Sequence, residues 1–143
     1  NSTISINNIK IDNIEASETL KNFNLELNDP FAIQIKWEAK SDWSEEQTAI
    51  FDQTTLIFSK KDSFSGIILK NKGYAESVKS CSNYFLDSEG GLNIKTEYDS
   101  TVSFERINFL SMNVRFRYSI LKNKSNLSII QTSHSSEIRE LIN

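Results

Sequence analysis

The chain has 143 residues, 38% of them hydrophobic and 24% charged, with a net charge of −3. That length suits a single domain, residues 1–143, able to bury roughly two-thirds of its unfolded surface without disulfide or metal support. The mild acidity argues against a nucleic-acid partner, the apolar share against disorder, and a lone Cys81 with a lone His134 against a disulfide or a Cys/His zinc site.

No apolar run approaches the ~20 residues of a membrane span, and the opening Asn1-Ser2-Thr3-Ile4 is neither basic nor followed by an apolar signal segment. Alternation with a period of two dominates the chain. Thr3–Ile11 sets isoleucines between asparagine and lysine. Phe23–Leu27 predicts a second strand. Phe31, Ile33, Ile35 and Trp37 share one face of a third, with Gln34 and Lys36 on the other. Further strands are expected at Thr54–Ser59, Ser65–Lys70, Ser82–Leu86, Leu92–Tyr98, Val102–Leu110, Asn113–Leu121 and Leu127–Ser133. Turn chemistry separates them at Asn28-Asp29-Pro30, Lys60-Lys61-Asp62, Asp87 to Gly91, Tyr98-Asp99-Ser100 and Asn123-Lys124-Ser125. The tail, Ser136–Ile142, suggests a short C-terminal helix with Glu137, Arg139 and Glu140 exposed.

About ten short strands with short connections predict an all-β, antiparallel, up-and-down barrel or sandwich. A closed meander of this size can enclose one small ligand.

The chemistry concentrates between Thr96 and Ser119. Arg115, Arg117 and Ser119 share one face of their strand, and Val114, Phe116 and Tyr118 the other. On the preceding strand Glu105 alternates with Ile107 and Phe109. Apart from Arg139 every arginine lies in this stretch, while lysine carries positive charge elsewhere. Guanidinium is the group that pairs bidentately with carboxylates. From alternation alone, the simpler arrangement has both arginines in water with Glu105 as a cross-strand salt partner, because charges are rarely buried unless paired.

Several segments occur in a specific order: Gly73-Tyr74-Ala75-Glu76, Tyr84, Gly91-Leu92, Thr96-Glu97-Tyr98, Glu105-Arg106, Asn113 to Arg117, Ser119 to Lys122 and Ser136 to Arg139. Together, with Trp37-Glu38 and Trp43 upstream, they resemble the S-type phycobiliprotein lyases, the CpcS/CpeS family of bilin chaperones. The resemblance implies a lipocalin-like β-barrel that binds an open-chain tetrapyrrole as substrate, without metal or organic cofactor. It implies delivery of that bilin, phycoerythrobilin or phycocyanobilin, to a cysteine of an apo-phycobiliprotein subunit as a thioether. The family's critical carboxylate falls on Glu105 and its critical arginine on Arg115. Arg117 would join Arg115 on the propionates, Trp37 would stack on the bilin, and Tyr98, Asn113 and Ser119 complete the expected ligand-binding set. With this resemblance, Glu105 and Arg115 are expected to face inward. Arg106, one residue on, points the other way and is expected at the surface or against a protein partner. Cys81 is expected to be a partly buried filler.

Two departures stand out: Phe104 replaces the family's usual acidic residue before Glu105, and the segment around Asn28–Phe31 is shortened. The family's short helix and Gly-x-Trp strand start would precede Asn1. An AT-rich style of composition favours phycoerythrobilin, and the host would be a cyanobacterium (cytoplasm) or a phycobiliprotein-containing alga (plastid). Homodimer formation is left open. The alternative is a non-catalytic lipocalin-like carrier of another amphipathic anion, which would bind without forming a thioether.

Overall fold

The computed structural model describes residues 2–10, 27–40, 49–72 and 80–139. Nine strands run through them: β1 (Ser2–Ile9), β2 (Phe31–Lys40), β3 (Ala49–Lys60), β4 (Ser65–Lys72), β5 (Ser80–Leu86), β6 (Leu92–Glu97), β7 (Thr101–Phe109), β8 (Val114–Asn123) and β9 (Ile129–Ile138). Their order in the sheet is chain order, so the fold is the all-β, antiparallel, up-and-down meander that alternation and short connections predict. Of the strand expected at Phe23–Leu27, only Leu27 is described and it is not in a strand. Trp43 and the motif Gly73 to Glu76 also lie outside the described residues.

The chain divides into two compact units. The first holds β1, β2, most of β3 and the latter part of β4. Its register sets Ile9 opposite Ala32 and Ala32 opposite Ile57. This row carries the burial, with Ala32 2% and Ile57 0% exposed. The regularly alternating apolar set of β2 lies on the other face, where Phe31 stacks on Phe58 at 4.7 Å between ring centres yet stays 45% exposed. Alternation within one strand therefore marks a face without saying how deeply it is buried; the cross-strand neighbours decide that. At the entry to β2, Asp29 takes a left-handed φ of 43°, a conformation aspartate tolerates in turns, and the Asn28 N–H donates to Ser59 Oγ at 2.9 Å.

The second unit holds residues 60–67 and β5 to β9. Between β3 and β4, Asp62 Oδ1 accepts the backbone N–H of Phe64 at 2.8 Å and of Ser65 at 2.7 Å, which holds its carboxyl below the usual range. Asp87 organises the β5–β6 turn by accepting from Glu89 and Gly91, with Gly90 at a left-handed φ of 77°. The β7–β8 hairpin closes through the Leu110 N–H on Val114 O at 2.9 Å, where a tight turn is expected around Ser111 and Met112. Val102 and Ile107 are buried on opposite faces of β7.

Within the described residues, which leave out residues 140–142 of the tail, the expected C-terminal helix is not formed: Ser136, Glu137 and Ile138 continue β9. Their partners are Phe116, Arg115 and Val114 of β8, and the ladder satisfies backbone groups that a single helical turn would leave largely unpaired. Cys81 is exposed on β5 rather than partly buried, although the covering it has pushes its thiol above the ordinary value.

Candidate functional site

Cross-strand partners lie on one face of an antiparallel ladder, and alternate residues repeat that face. In the second unit the register builds four rows on the face of Glu105. Ser82, Thr96, Ser103, Leu121 and Gln131 form the first, and Tyr84, Ile94, Glu105, Ser119 and Ser133 the second. Leu86, Leu92, Ile107, Arg117 and Ser135 form the third; Phe109, Arg115 and Glu137 form the fourth. The face thus changes character along the strands, from hydroxyl-rich through a central carboxylate to two guanidiniums.

Two ion pairs occupy the charged end. Arg117 Nη2 donates to Glu105 Oε1 at 2.6 Å, reaching diagonally across the ladder, with side chains 41% and 23% exposed. Arg115 donates through Nε and Nη2 to Glu137 Oε2, directly opposite it, with side chains 25% and 19% exposed. Both pairs are partly withdrawn from water, where charge-assisted bonds gain strength and an unpaired partner becomes costly. Of the two arginines expected as cross-strand salt partners of Glu105, Arg117 makes the pair, while Arg115 is held by Glu137. Glu137, expected on an exposed helix, is instead the carboxylate that holds Arg115. Continuing the alternation Gln131, Ser133, Ser135, Glu137 into the tail was the signal for it.

At the other end, an open hollow of ≈ 410 Å³ is lined by Tyr98, Thr101, Ser103, Ser119, Leu121 and Gln131. Ser119 Oγ and Ser133 Oγ are 2.5 Å apart at its edge, and Ser82 Oγ and Thr96 Oγ1 make a buried bond of 2.6 Å further along the first row. The register therefore brings Glu105, Arg115, Arg117 and Ser119 together on one face, with Tyr98 lining the hollow beyond. Asn113 lies just before β8, exposed in the β7–β8 loop, where its carbonyl accepts the Arg139 N–H at 2.7 Å. Trp37 belongs to the first unit, opposite Ile4 and Asp52.

Arg106 lies on the reverse face, as alternation expects, and acts as an internal tie. Its Nη2 reaches Asp87 Oδ2 at 2.9 Å and Glu89 Oε2 at 3.2 Å, fastening the β5–β6 turn to β7. The bond from Asn93, then those from Gly91 and Glu89, hold the Asp87 carboxyl below its ordinary value; the bond to Glu89 raises that of Arg106. Gly91 makes room for this, since a Cβ there would stand 2.7 Å from Asp87 Oδ2 and 2.8 Å from Arg106 Nε. Also on this face, Phe104 lies between the ammonium groups of Lys95 and Lys122, 5.9 and 5.8 Å from its ring centre, so the residue that departs from the family pattern serves as a cation–π platform.

A family model described as CpeS-like protein matches residues 1–140. The chain belongs to this family. A chromophore lyase CpcS/CpeS 3 from Trichodesmium erythraeum is 32% identical over 107 residues, covering 74% of this chain and 62% of the relative. A chromophore lyase CpcS/CpeS 2 from a Synechococcus strain is 34% identical over 110 residues, 77% of this chain and 58% of the relative. The chain thus spans about three-fifths of the length of these curated relatives. Among solved structures, the S-type phycobiliprotein lyase CpeS from Guillardia theta matches with a TM-score of 0.78 and 28% identity, covering 100% of this chain and 78% of that one. The fold is accordingly of the lipocalin-like type that the family implies.

Proposed function

We propose that this chain is a bilin lyase domain that binds an open-chain tetrapyrrole and delivers it to a cysteine of an apo-phycobiliprotein subunit. The observation that carries the reading is the placement of two arginine–carboxylate pairs on the same face as a neutral, hydroxyl-lined hollow. A bilin has the matching chemistry: two propionates, a row of pyrrole nitrogens and polar rings at both ends. The family membership and the names of the relatives support the same activity.

In this reading the carboxylates hold the guanidiniums until substrate arrives. Propionates displace Glu105 from Arg117 and Glu137 from Arg115, so each guanidinium keeps an anionic partner throughout. The released Glu105 accepts pyrrole N–H bonds and favours the protonated, more electrophilic chromophore. The thiolate of the acceptor subunit then adds to the ethylidene carbon of the first ring. A sulfur–carbon bond forms, the exocyclic double bond opens, and the adjacent ring carbon takes a proton, with no leaving group. The nucleophile belongs to the partner, and this chain orients the bilin and stabilises its charge. The Asn-, Lys- and Ile-rich composition is the support for phycoerythrobilin as the bilin in this reading. The organisms of the relatives support a cyanobacterial cytoplasm or an algal plastid as its place of action.

Titration with phycoerythrobilin should give a sharpened, red-shifted absorbance band, and added acceptor subunit should become covalently coloured. Glu105→Gln and Arg115→Ala should each slow transfer at least tenfold in protein with a wild-type far-UV spectrum. Absence of any spectral change with bilins would overturn the proposal. Binding without covalent transfer would make the chain a carrier instead.

A further inference from the structure

Resting on that reading, we infer that the hydroxyl-lined hollow is a subsite for a terminal lactam ring of the tetrapyrrole, read by the Gln131 carboxamide with Thr101 and Ser103. The six lining residues include no aspartate, glutamate, histidine, lysine or arginine: they offer four aliphatic or phenolic hydroxyls and one carboxamide, and Leu121 supplies an apolar wall. A carboxylate has no cationic partner there, while a neutral ring bearing both a donor and an acceptor does find partners.

The polar groups are also available. Among the described residues, the side chains of Tyr98, Thr101, Ser103 and Gln131 make no hydrogen bond to protein, whereas Ser119 is engaged with Ser133. Gln131 and Ser103 both belong to the first row, with Leu121 between them, so a flat ring laid over Leu121 meets polar groups on either side. A lactam presents its C=O and N–H on adjacent atoms. A carboxamide is the side chain that answers both at once, accepting through oxygen and donating through nitrogen.

Position along the strands agrees. Ser103 lies one same-face step from Glu105, about 7 Å, and Arg117 lies one such step beyond Ser119 in the opposite direction. Propionates stand on the inner rings of a bilin and lactams on the outer ones. With Glu105 on the pyrrole nitrogens and the arginines on propionates, an outer ring reaches past Glu105 into the hollow. Gln131 is thereby a specificity determinant that distinguishes a bilin from other amphipathic carboxylates.

The test uses the full chain with phycocyanobilin and with its dimethyl ester, each titrated by absorbance against wild type, Gln131→Leu and Thr101→Val. Gln131 and Thr101 are exposed and half-buried strand positions, so both variants should fold, and a melting curve for each is the check. Wild type should bind the ester more weakly than the acid. Gln131→Leu should weaken both ligands by a similar factor, roughly tenfold, and Thr101→Val by a few-fold, because the lactam contact is independent of the propionates. If wild type binds phycocyanobilin and Gln131→Leu binds it equally well, the lactam subsite is wrong while the lyase reading stands. A Gln131→Leu defect that vanishes on the ester would place this residue at the propionate end and also overturn the subsite. Failure of wild type to bind any bilin removes the reading itself and the subsite with it.

Discussion

Replacing Glu105 by Gln and Arg117 by Met, singly and together, isolates the diagonal ion pair on which the charged end of the site is built. Over 2.6 Å the Coulomb attraction is about 1.6 kcal/mol in a water-like medium and about 6 kcal/mol at the effective dielectric of a protein surface. Desolvation and the entropy of fixing two long side chains oppose it, and fully exposed pairs retain only about 0.2–1 kcal/mol. With side chains 41% and 23% exposed, this pair stands at the upper edge of that class, so a coupling energy of about 1 kcal/mol is expected. The Glu105/Arg115 cycle is the control. Ser119 is the residue opposite Glu105, and Arg115 lies two same-face steps from it, roughly 13 Å along the strand, where mutational effects add within about 0.5 kcal/mol. Equilibrium urea unfolding of the six proteins the two cycles require supplies both numbers. Equal couplings, or a larger one with Arg115, would refute the register that assigns Arg117 to Glu105.

The acid side of stability should depend on Asp87. Its carboxyl is lowered in the folded protein, so its contribution is complete above the ordinary value of 3.8 and is lost as pH falls through the lower folded value. Asp87→Asn should therefore flatten the loss of melting temperature below about pH 4; an unchanged pH profile would show that the turn network contributes nothing. Gly91→Ala places a Cβ among Asp87 Oδ2 and Arg106 Nε and should cost about 1–2 kcal/mol, seen as a melting temperature lowered by several degrees. A wild-type melting temperature would mean that the guanidinium moves aside freely. Ile57→Ala, at a position with no exposure, should cost about 2–5 kcal/mol in urea unfolding, whereas Phe31→Ala, on the half-open face of β2, should cost less.

Much of this was legible in local pattern, for a definite reason. A strand's side chains alternate with a period of two whatever the strand pairs with, so the face shared by Arg115, Arg117 and Ser119 could be read from β8 alone. Turn residues are equally local: Asp87 to Gly91 and Asn28 to Pro30 bend the chain through their own backbone preferences and side-chain acceptors. The order of motifs, Tyr84 to Arg139 among them, carried the family, because it sets particular residues at fixed intervals along five successive strands.

Pairing is where local pattern stops. The partner of Glu105 depends on how β7 is set against β8, and a diagonal reach selects Arg117 over Arg115. Glu137 acquires its role only when the last residues join the ladder, since Ser136 to Ile138 are short enough to be read as either helix or strand until β8 supplies backbone partners. The same holds for burial, where Ile9 and Ile57 flank Ala32 in a covered row while the more regular apolar face of β2 stays half open. By itself, then, the sequence determined the class of fold, the positions of its turns and the face that carries Glu105 and the arginines. The tertiary structure alone decided which carboxylate holds which guanidinium and that a neutral hollow lies beyond them, because those relations join residues from different strands and no spacing within one strand records them.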